Sequence, residues 1–423
     1  MSKPICIITA RSGSKGLPHK NMLFFAGKPL LVHSIDAAIG SGFFDAENIY
    51  VSTDSEKYKK IIEALRPGVK VVIRKPELAL DTTTSFEVLE DFLAGFEDDQ
   101  IFLLLQPTSP LRAADDIKNA FKMLEEGAGA VVSFSAFDKG LDFYTKLDKQ
   151  GRPVDLIGSQ GNYRRQDKEV VYIPNGSIYL TNKKDYLREK TFFYGETRAL
   201  ITPPQNSVDI DNIDDFRKAI GMLDFDFLNE KNHRSRLLRP IVSKVHDAAN
   251  LVICDERNDF LRLSGFRKIF CGDLTTEEIL ETLPKQVSVY DKVVVALGIN
   301  DLIRGVDSDK FAQNYKSILD KISGESSKIV VIPILPVLFR AEIKNETIDV
   351  YNQKLRDLCQ ELGAEYTETP ESIFEDGELS VCFTEDGLML NKDGRRIIQD
   401  LFSDKKVIKN NFKEKYDRNY RKC

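Results

Sequence analysis

From Ile5 to Phe134 the chain alternates short apolar, β-branched runs with stretches whose apolar positions recur at helical spacing. Ile5–Ile8, Ile49–Ser52, Val69–Ile73, Ile101–Leu105 and Ala130–Phe134 read as strands. Pro29–Ile39, Glu56–Leu65, Phe86–Phe96 and Ile117–Leu124 read as helices. Such alternation predicts a parallel sheet covered by helices on both faces, with ligands outside the carboxyl ends of the strands. Between Asp138 and Val171 the rhythm lapses into a long polar segment, and a connection of that length inside a domain is usually functional, an arm or a lid. A second alternation follows. Its strands are Leu251–Cys254, Lys268–Cys271, Val293–Leu297 and Ile329–Ile334, and its helices Glu277–Leu283, Phe311–Ile322 and Ile348–Leu362, which predicts a second, three-layer α/β domain.

Length agrees with two domains, because 423 residues exceed one ordinary core. The expected division is a first domain over 1–228, a polar and basic linker over 229–248, a second domain over 249–405 and a basic tail over 406–423 that reads as a solvated end. A net charge of -6 gives no basic field of the size nucleic acid needs, so a bound polyanion would be held by a local cluster. No run approaches the ~18 apolar residues of a membrane span, and Met1 leads straight into a strand without a signal-like apolar segment. A cytoplasmic protein is the expectation. Six scattered cysteines without a CxxC pair suit reduced thiols, and four histidines leave His-based catalysis poorly supplied.

The densest chemistry lies in Ala10–Asn21, directly after the first strand. Gly13 and Gly16 permit unusual backbone conformations, so that main-chain N–H groups can face an anion, and Arg11, Lys15 and Lys20 bring three cations. This is a phosphate cradle in composition without P-loop spacing; taken alone, it is equally a solvated turn. Arg74 follows the third strand, and Asp81–Ser85 opens a helix as a cap cluster or a pocket wall. Gln106–Arg112 is a rigid polar turn at the carboxyl end of the fourth strand, the kind of loop that carries function. Asp209 and Asp211, at i and i+2 of a β-like run, share one face; their paired hard oxygens suit Mg²⁺ bridging to phosphate. The plainer alternative makes Asp211 the cap of a helix starting at Ile213.

The motifs ARSGSKGLPHKN, VSTDSE, LLQPTSPLR, YRRQD, PNGSIYLTN and SVDIDN occur in this order, and residues 3 to 225 resemble the CMP-sialic acid synthetases, or N-acylneuraminate cytidylyltransferases. The resemblance implies an α/β nucleotidyltransferase domain with a Rossmann-like sheet, and transfer of CMP from CTP to N-acetylneuraminate with release of pyrophosphate. It implies that Arg11, Ser14, Lys15 and Lys20 hold the triphosphate and that Asn21 lies near the ribose. Thr9, Ala10, Arg74, Thr83 and Ser85 would line the cytosine pocket, with Gln106 between nucleotide and sugar. Arg11, Lys20, Gln106 and Asp211 would be the catalytic group, with Mg²⁺ on Asp209 and Asp211. The segment 138–171 corresponds to a dimerisation arm, and Arg165, beside Arg164, would pair with the sugar acid's carboxylate, for which a planar guanidinium fork is suited. A homodimer is implied.

Val295–Asp301 is a strand running into Gly-x-Asn-Asp, and the second half resembles the SGNH hydrolases, which some bacterial CMP-sialic acid synthetases carry as a sialic acid O-acetylesterase domain. Gly272, Asn300 and Asp386 match that pattern. Glu256 stands where the nucleophilic serine belongs and Met389 where the histidine base belongs. A carboxylate cannot replace the serine, and a thioether is no base, so an inactive second domain is expected. The alternatives are CMP activation of a related acid such as legionaminate, a bifunctional protein with an active esterase, and a non-catalytic assembly protein.

Overall fold

Four apolar residues open Ile5–Thr9 (β1), and all four are buried, as an interior strand covered on both faces requires. The computed structural model describes residues 3–14, 16–137, 145–154, 170–222, 241–242, 249–283 and 290–402. The chain divides into two compact units, Met1–Met22 with Pro29–Met222, and Leu23–Lys28 with Leu223–Cys423. Among the described residues no helix is long and apolar enough to cross a membrane.

In the first unit β1 is joined by Ile49–Thr53 (β2), Lys70–Ile73 (β3), Ile101–Leu105 (β4), Ala130–Phe137 (β5), Val171–Asn182 (β6) and Thr197–Ile201 (β7). Among the described residues these seven strands form one sheet in the order β3-β2-β1-β4-β6-β5-β7. The β3 to β4 half is parallel, as the alternation predicts. The other half departs from it: β6 runs antiparallel to both β4 and β5, so the sheet is mixed.

Helices α1 (Leu30–Gly40), α2 (Glu56–Leu65), α3 (Ser85–Leu93) and α4 (Ala114–Glu125) follow the first four strands. Their starts are written in the sequence. Ser55 accepts the Tyr58 N–H at 3.2 Å, and Thr84 and Glu87 form a reciprocal capping box. The core beneath α3 joins Ile5, Ile7, Leu89, Leu93, Phe102 and Leu104.

Second-unit strands Ile241–Val242 (β8), Asn250–Cys254 (β9), Phe266–Phe270 (β10), Tyr290–Ala296 (β11), Ser323–Val331 (β12) and Glu365–Tyr366 (β13) lie in the order β8-β10-β9-β11-β12-β13 among the described residues. All their pairings are parallel except that of β8 with β10. Ser308–Ile322 and Asn345–Leu362 bury Phe311, Tyr315, Ile318, Tyr351 and Leu355 in one apolar core with these strands.

Candidate active site

Parallel strands deliver their carboxyl ends to one edge, and a cleft of about 350 Å³ opens there. Thr9 and Arg11 reach it from the end of β1, Arg74 from the end of β3, and Gln106 and Thr108 from the end of β4. Ser14, Lys20, Asn21, Thr83, Ser85, Asp209 and Asp211 complete the set of sequence-selected residues brought together. Ala10 is not part of the lining; its N–H donates to the Ser52 carbonyl at 2.9 Å, continuing the β1–β2 pairing. Lys15, Arg164 and Arg165 lie outside the described residues, as does most of the 138–171 segment.

The loop after β1 is held from below. Both oxygens of Asp54 grip Ser12, accepting its N–H at 2.7 Å and its hydroxyl at 2.9 Å, and Asn21 Nδ2 donates to the Arg11 carbonyl at 2.9 Å. Gly13 does not adopt a left-handed conformation. Gly16 has a steric reason to be glycine: a Cβ there would stand 3.0 Å from the Asp211 carbonyl oxygen. Among the described residues of the loop His19 is left-handed, at φ 51°.

Cations and carboxylates face one another across the cleft. Arg11 Nη1 lies 2.6 Å from Asp81 Oδ1, and Lys20 Nζ 2.8 Å from Asp211 Oδ1. Arg74 donates to the Ser52 carbonyl at 2.6 Å, while its buried Nε has no protein partner. Burial lowers the Arg74 pKa, opposed by nearby Asp54 and reinforced by nearby Arg11. The cap alternative for Asp211 does not describe this geometry, because Asn212 Oδ1 accepts the Asp214 and Asp215 N–H groups at 2.9 and 3.1 Å. Asp209 is different from its neighbour. Its Oδ1 is buried and accepts no hydrogen bond, and burial, with Asp211 adding to it, raises its pKa despite a hydrogen bond from Thr108. An ionised carboxylate oxygen left in that state is costly without a cation.

Below the cleft Arg112 is wholly buried. It donates to the Gln106 carbonyl at 2.8 Å, the Ser177 carbonyl at 2.7 Å and the Ser34 hydroxyl at 3.0 Å, tying the β4 turn to β6. Burial lowers its pKa to about 10. On β6, Gly176 sits at φ 75° beside a register shift between Val132 and Phe134, where the Ser133 hydroxyl takes ladder partners by donating to Asn175 Oδ1 and accepting the Ile178 N–H. A Cβ on Gly176 would lie 2.5 Å from Gln106 Oε1 and 3.4 Å from Asp209 Oδ2. Asp54, Thr108, Arg112 and Gly176 are site-building residues to which the sequence alone assigned no individual role, and Asp81, expected in a cap cluster, instead holds Arg11. The first four sit inside the motifs VSTDSE, LLQPTSPLR and PNGSIYLTN, and that clustering is the available signal.

In the second unit Glu256, Gly272 and Asn300 do converge. The Glu256 N–H donates to the Gly272 carbonyl at 3.0 Å, and Asn300 Nδ2 donates to the same carbonyl at 3.1 Å. Asp386 and Met389 share one turn, in which Asp386 Oδ1 accepts the Met389 N–H at 2.6 Å. Asp255, next to Glu256, is buried, and its pKa is pushed up to about 6 by that burial.

A cleft of paired cations and carboxylates at the strand ends, after a Gly/Lys loop, defines a nucleotide-binding α/β protein. Residues 5–243 match the cytidylyltransferase family, and the chain belongs to that family. Residues 241–397 match the GDSL-like lipase/acylhydrolase family. An N-acylneuraminate cytidylyltransferase of Streptococcus agalactiae is 38% identical over 401 residues, covering 94% of this chain and 97% of that one. One of the same name from Escherichia coli O18:K1:H7 is 29% identical, covering 94% and 98%. A CMP-N,N'-diacetyllegionaminic acid synthase of Legionella pneumophila is 35% identical over 213 residues, covering 49% of this chain and 90% of that one.

Proposed function

We propose that this chain transfers CMP from CTP to the anomeric hydroxyl of N-acetylneuraminate, releasing pyrophosphate. The observation that carries the reading is the convergence of Arg11, Lys20, Gln106, Asp209 and Asp211 on one cleft in a chain related end to end to enzymes of that name. Arg11 and Lys20, with Lys15, neutralise the triphosphate and the departing pyrophosphate. Asn21 meets the ribose. Thr9, Arg74, Thr83 and Ser85 enclose the cytosine, with Ala10 behind them; the orphaned Arg74 Nε is a donor available to its polar edge. Gln106 orients the sugar's reacting end against the α-phosphorus, and Arg165 with Arg164 takes the sugar's carboxylate.

The cofactor is a divalent cation, which we take to be Mg²⁺. Asp209 and Asp211 are the residues that would hold it, and the unpartnered Asp209 Oδ1 supports this. Among the described residues no group of three or more His, Cys, Asp and Glu is assembled for a metal, which suits an ion that keeps its waters and relies on substrate phosphate. When bound it supplies charge stabilisation at the phosphates and acidifies the attacking hydroxyl.

Residues 1–228 form the transferase domain and 249–405 an esterase-like domain without esterase chemistry, because Glu256 and Met389 occupy the reacting positions. The protein acts in the cytoplasm as a homodimer through the 138–171 arm. A second reading, activation of legionaminate, draws support from the Legionella relative, since a carboxylate clamp does not distinguish acyl substituents. Chromatographic detection of CMP-N-acetylneuraminate made from CTP, with UTP and ATP as controls, tests the primary reading. Product from all three nucleotides alike, or from none, overturns it.

A further inference from the structure

The two carboxylates of the cleft, Asp209 and Asp211, stand at the end of segment 202–211, which leaves the first unit's sheet after β7 and holds one 3₁₀ turn, Pro204–Asn206. Regular structure alone does not fix such a stretch. Its place rests on hydrogen bonds to other parts of the same unit.

At the centre of these bonds is Asn175 on β6, only 6% exposed. Asn175 Oδ1 accepts the Ser133 hydroxyl at 2.6 Å and the Ser177 N–H at 3.2 Å. Because a backbone N–H can only donate, Ser177 admits one orientation of the carboxamide, with its oxygen toward the sheet. Nδ2 therefore faces the segment, donating to the Thr202 hydroxyl at 2.7 Å and the Ser207 hydroxyl at 3.1 Å. The amide is then fully used, with two bonds accepted and two donated. On the segment's side the Thr202 and Ser207 hydroxyls lie 2.8 Å apart, and Ser207 Oγ also donates to the Pro203 carbonyl at 2.8 Å. Two further pins flank this clamp. Asn206 Nδ2 donates to Asp116 Oδ2 at 3.1 Å, and the Ile210 N–H donates to the Thr108 carbonyl at 2.8 Å.

We infer that Asn175 is a positioning residue for the cation site: through Thr202 and Ser207 it sets where the Asp209 carboxylate stands. This rests on the metal reading of Asp209 and Asp211. Asp209 Oδ1 accepts no hydrogen bond, so its placement depends on Thr108 and on the backbone that carries it, and Ser207 lies just upstream on that backbone. The next residue of β6 meets the same carboxylate, since a Cβ on Gly176 would lie 3.4 Å from Asp209 Oδ2. Asn175 and Gly176 thus act on Asp209 in two ways, by a clamp on its chain and by room for its side chain. Groups standing behind a metal ligand typically govern affinity by about 10- to 100-fold.

Full-length Ser207→Ala, Thr202→Val and Ser207→Thr test this by two readouts. One is Mn²⁺ affinity, followed by water-proton relaxation with CTP present and the sugar acid withheld; the other is the Mg²⁺ concentration for half-maximal pyrophosphate release. Ser207→Ala should weaken Mn²⁺ binding about ten-fold and raise the Mg²⁺ requirement by a similar factor, with kcat at saturating Mg²⁺ within about three-fold of the unmutated chain. Thr202→Val should move both readouts in the same direction. Ser207→Thr keeps the hydroxyl and should stay within about two-fold. A lowered melting temperature in Ser207→Ala with unchanged Mn²⁺ affinity would make the clamp purely structural and overturn the inference, as would an equal loss in Ser207→Thr. Should Ser207→Ala not fold, Thr202→Val decides by the same criterion. Failure of the metal reading would look different, since the unmutated chain would then show only the relaxation of Mn²⁺ with CTP alone and would release pyrophosphate without a divalent cation.

Discussion

Lys20 Nζ stands 2.8 Å from Asp211 Oδ1, so a cation suited to phosphate rests on a carboxylate suited to a metal. The Asp211 side chain is 71% exposed, so the pair contributes about 1 kcal/mol or less and separates readily. A metal–triphosphate offers each partner a stronger interaction. Lys20→Ala and Arg11→Ala should each lower kcat/KM for CTP by ~10²-fold, measured by steady-state pyrophosphate release. Turnover unchanged in both variants would remove these cations from the chemistry.

Asp209 sets a pH dependence. Burial raises its folded-state pKa, so its contribution to folding is fully present below the ordinary carboxylate pKa and is lost as pH rises through the shifted value. Metal binding has the opposite sign, because the ion needs the ionised form and competes with the proton. The metal concentration for half-maximal activity should therefore climb as pH falls through that raised value, and Asp209→Asn should flatten the trend while lowering activity. Titrations of Mg²⁺ at a series of pH values read this directly; a pH-independent requirement contradicts it.

Asp81 competes for Arg11 at 2.6 Å, with side chains 43% and 30% exposed. Solvent screening limits the pair to less than about 1 kcal/mol, so Asp81→Asn should tighten CTP binding by about two- to five-fold. Calorimetric titration of CTP checks the direction, and weaker binding would mean that Asp81 helps the nucleotide.

Gly176→Ala combines a left-handed backbone with a Cβ 2.5 Å from Gln106 Oε1. Strain of that kind costs about 1–3 kcal/mol of stability, and the displaced Gln106 should reduce turnover at least ten-fold in a variant that still folds. Thermal melting and kinetics on one preparation separate the two effects.

The cleft was legible where chemistry and chain order coincide. Arg11, Lys20, Arg74 and Gln106 each follow an apolar run that became a parallel strand, and parallel strands carry their ends to one edge. Pro174-Asn175-Gly176 shows the limit. These residues suggest a turn, yet they lie inside the twelve-residue β6, because the Ser133 hydroxyl and Asn175 satisfy the backbone groups a bulge leaves over. Arg112 lies within the LLQPTSPLR motif, but only its burial reveals a cation held by carbonyls.

Product analysis of the full chain tests the account most directly. CTP is supplied with N-acetylneuraminate, legionaminate and an O-acetylated sialic acid in turn, and pyrophosphate, CMP-sugar and acetate are all followed. Stoichiometric pyrophosphate and CMP-N-acetylneuraminate, with no acetate above background from the O-acetylated substrate, is the predicted result. Acetate release that needs neither CTP nor metal, in a preparation making no CMP-sugar from any acid, would contradict it.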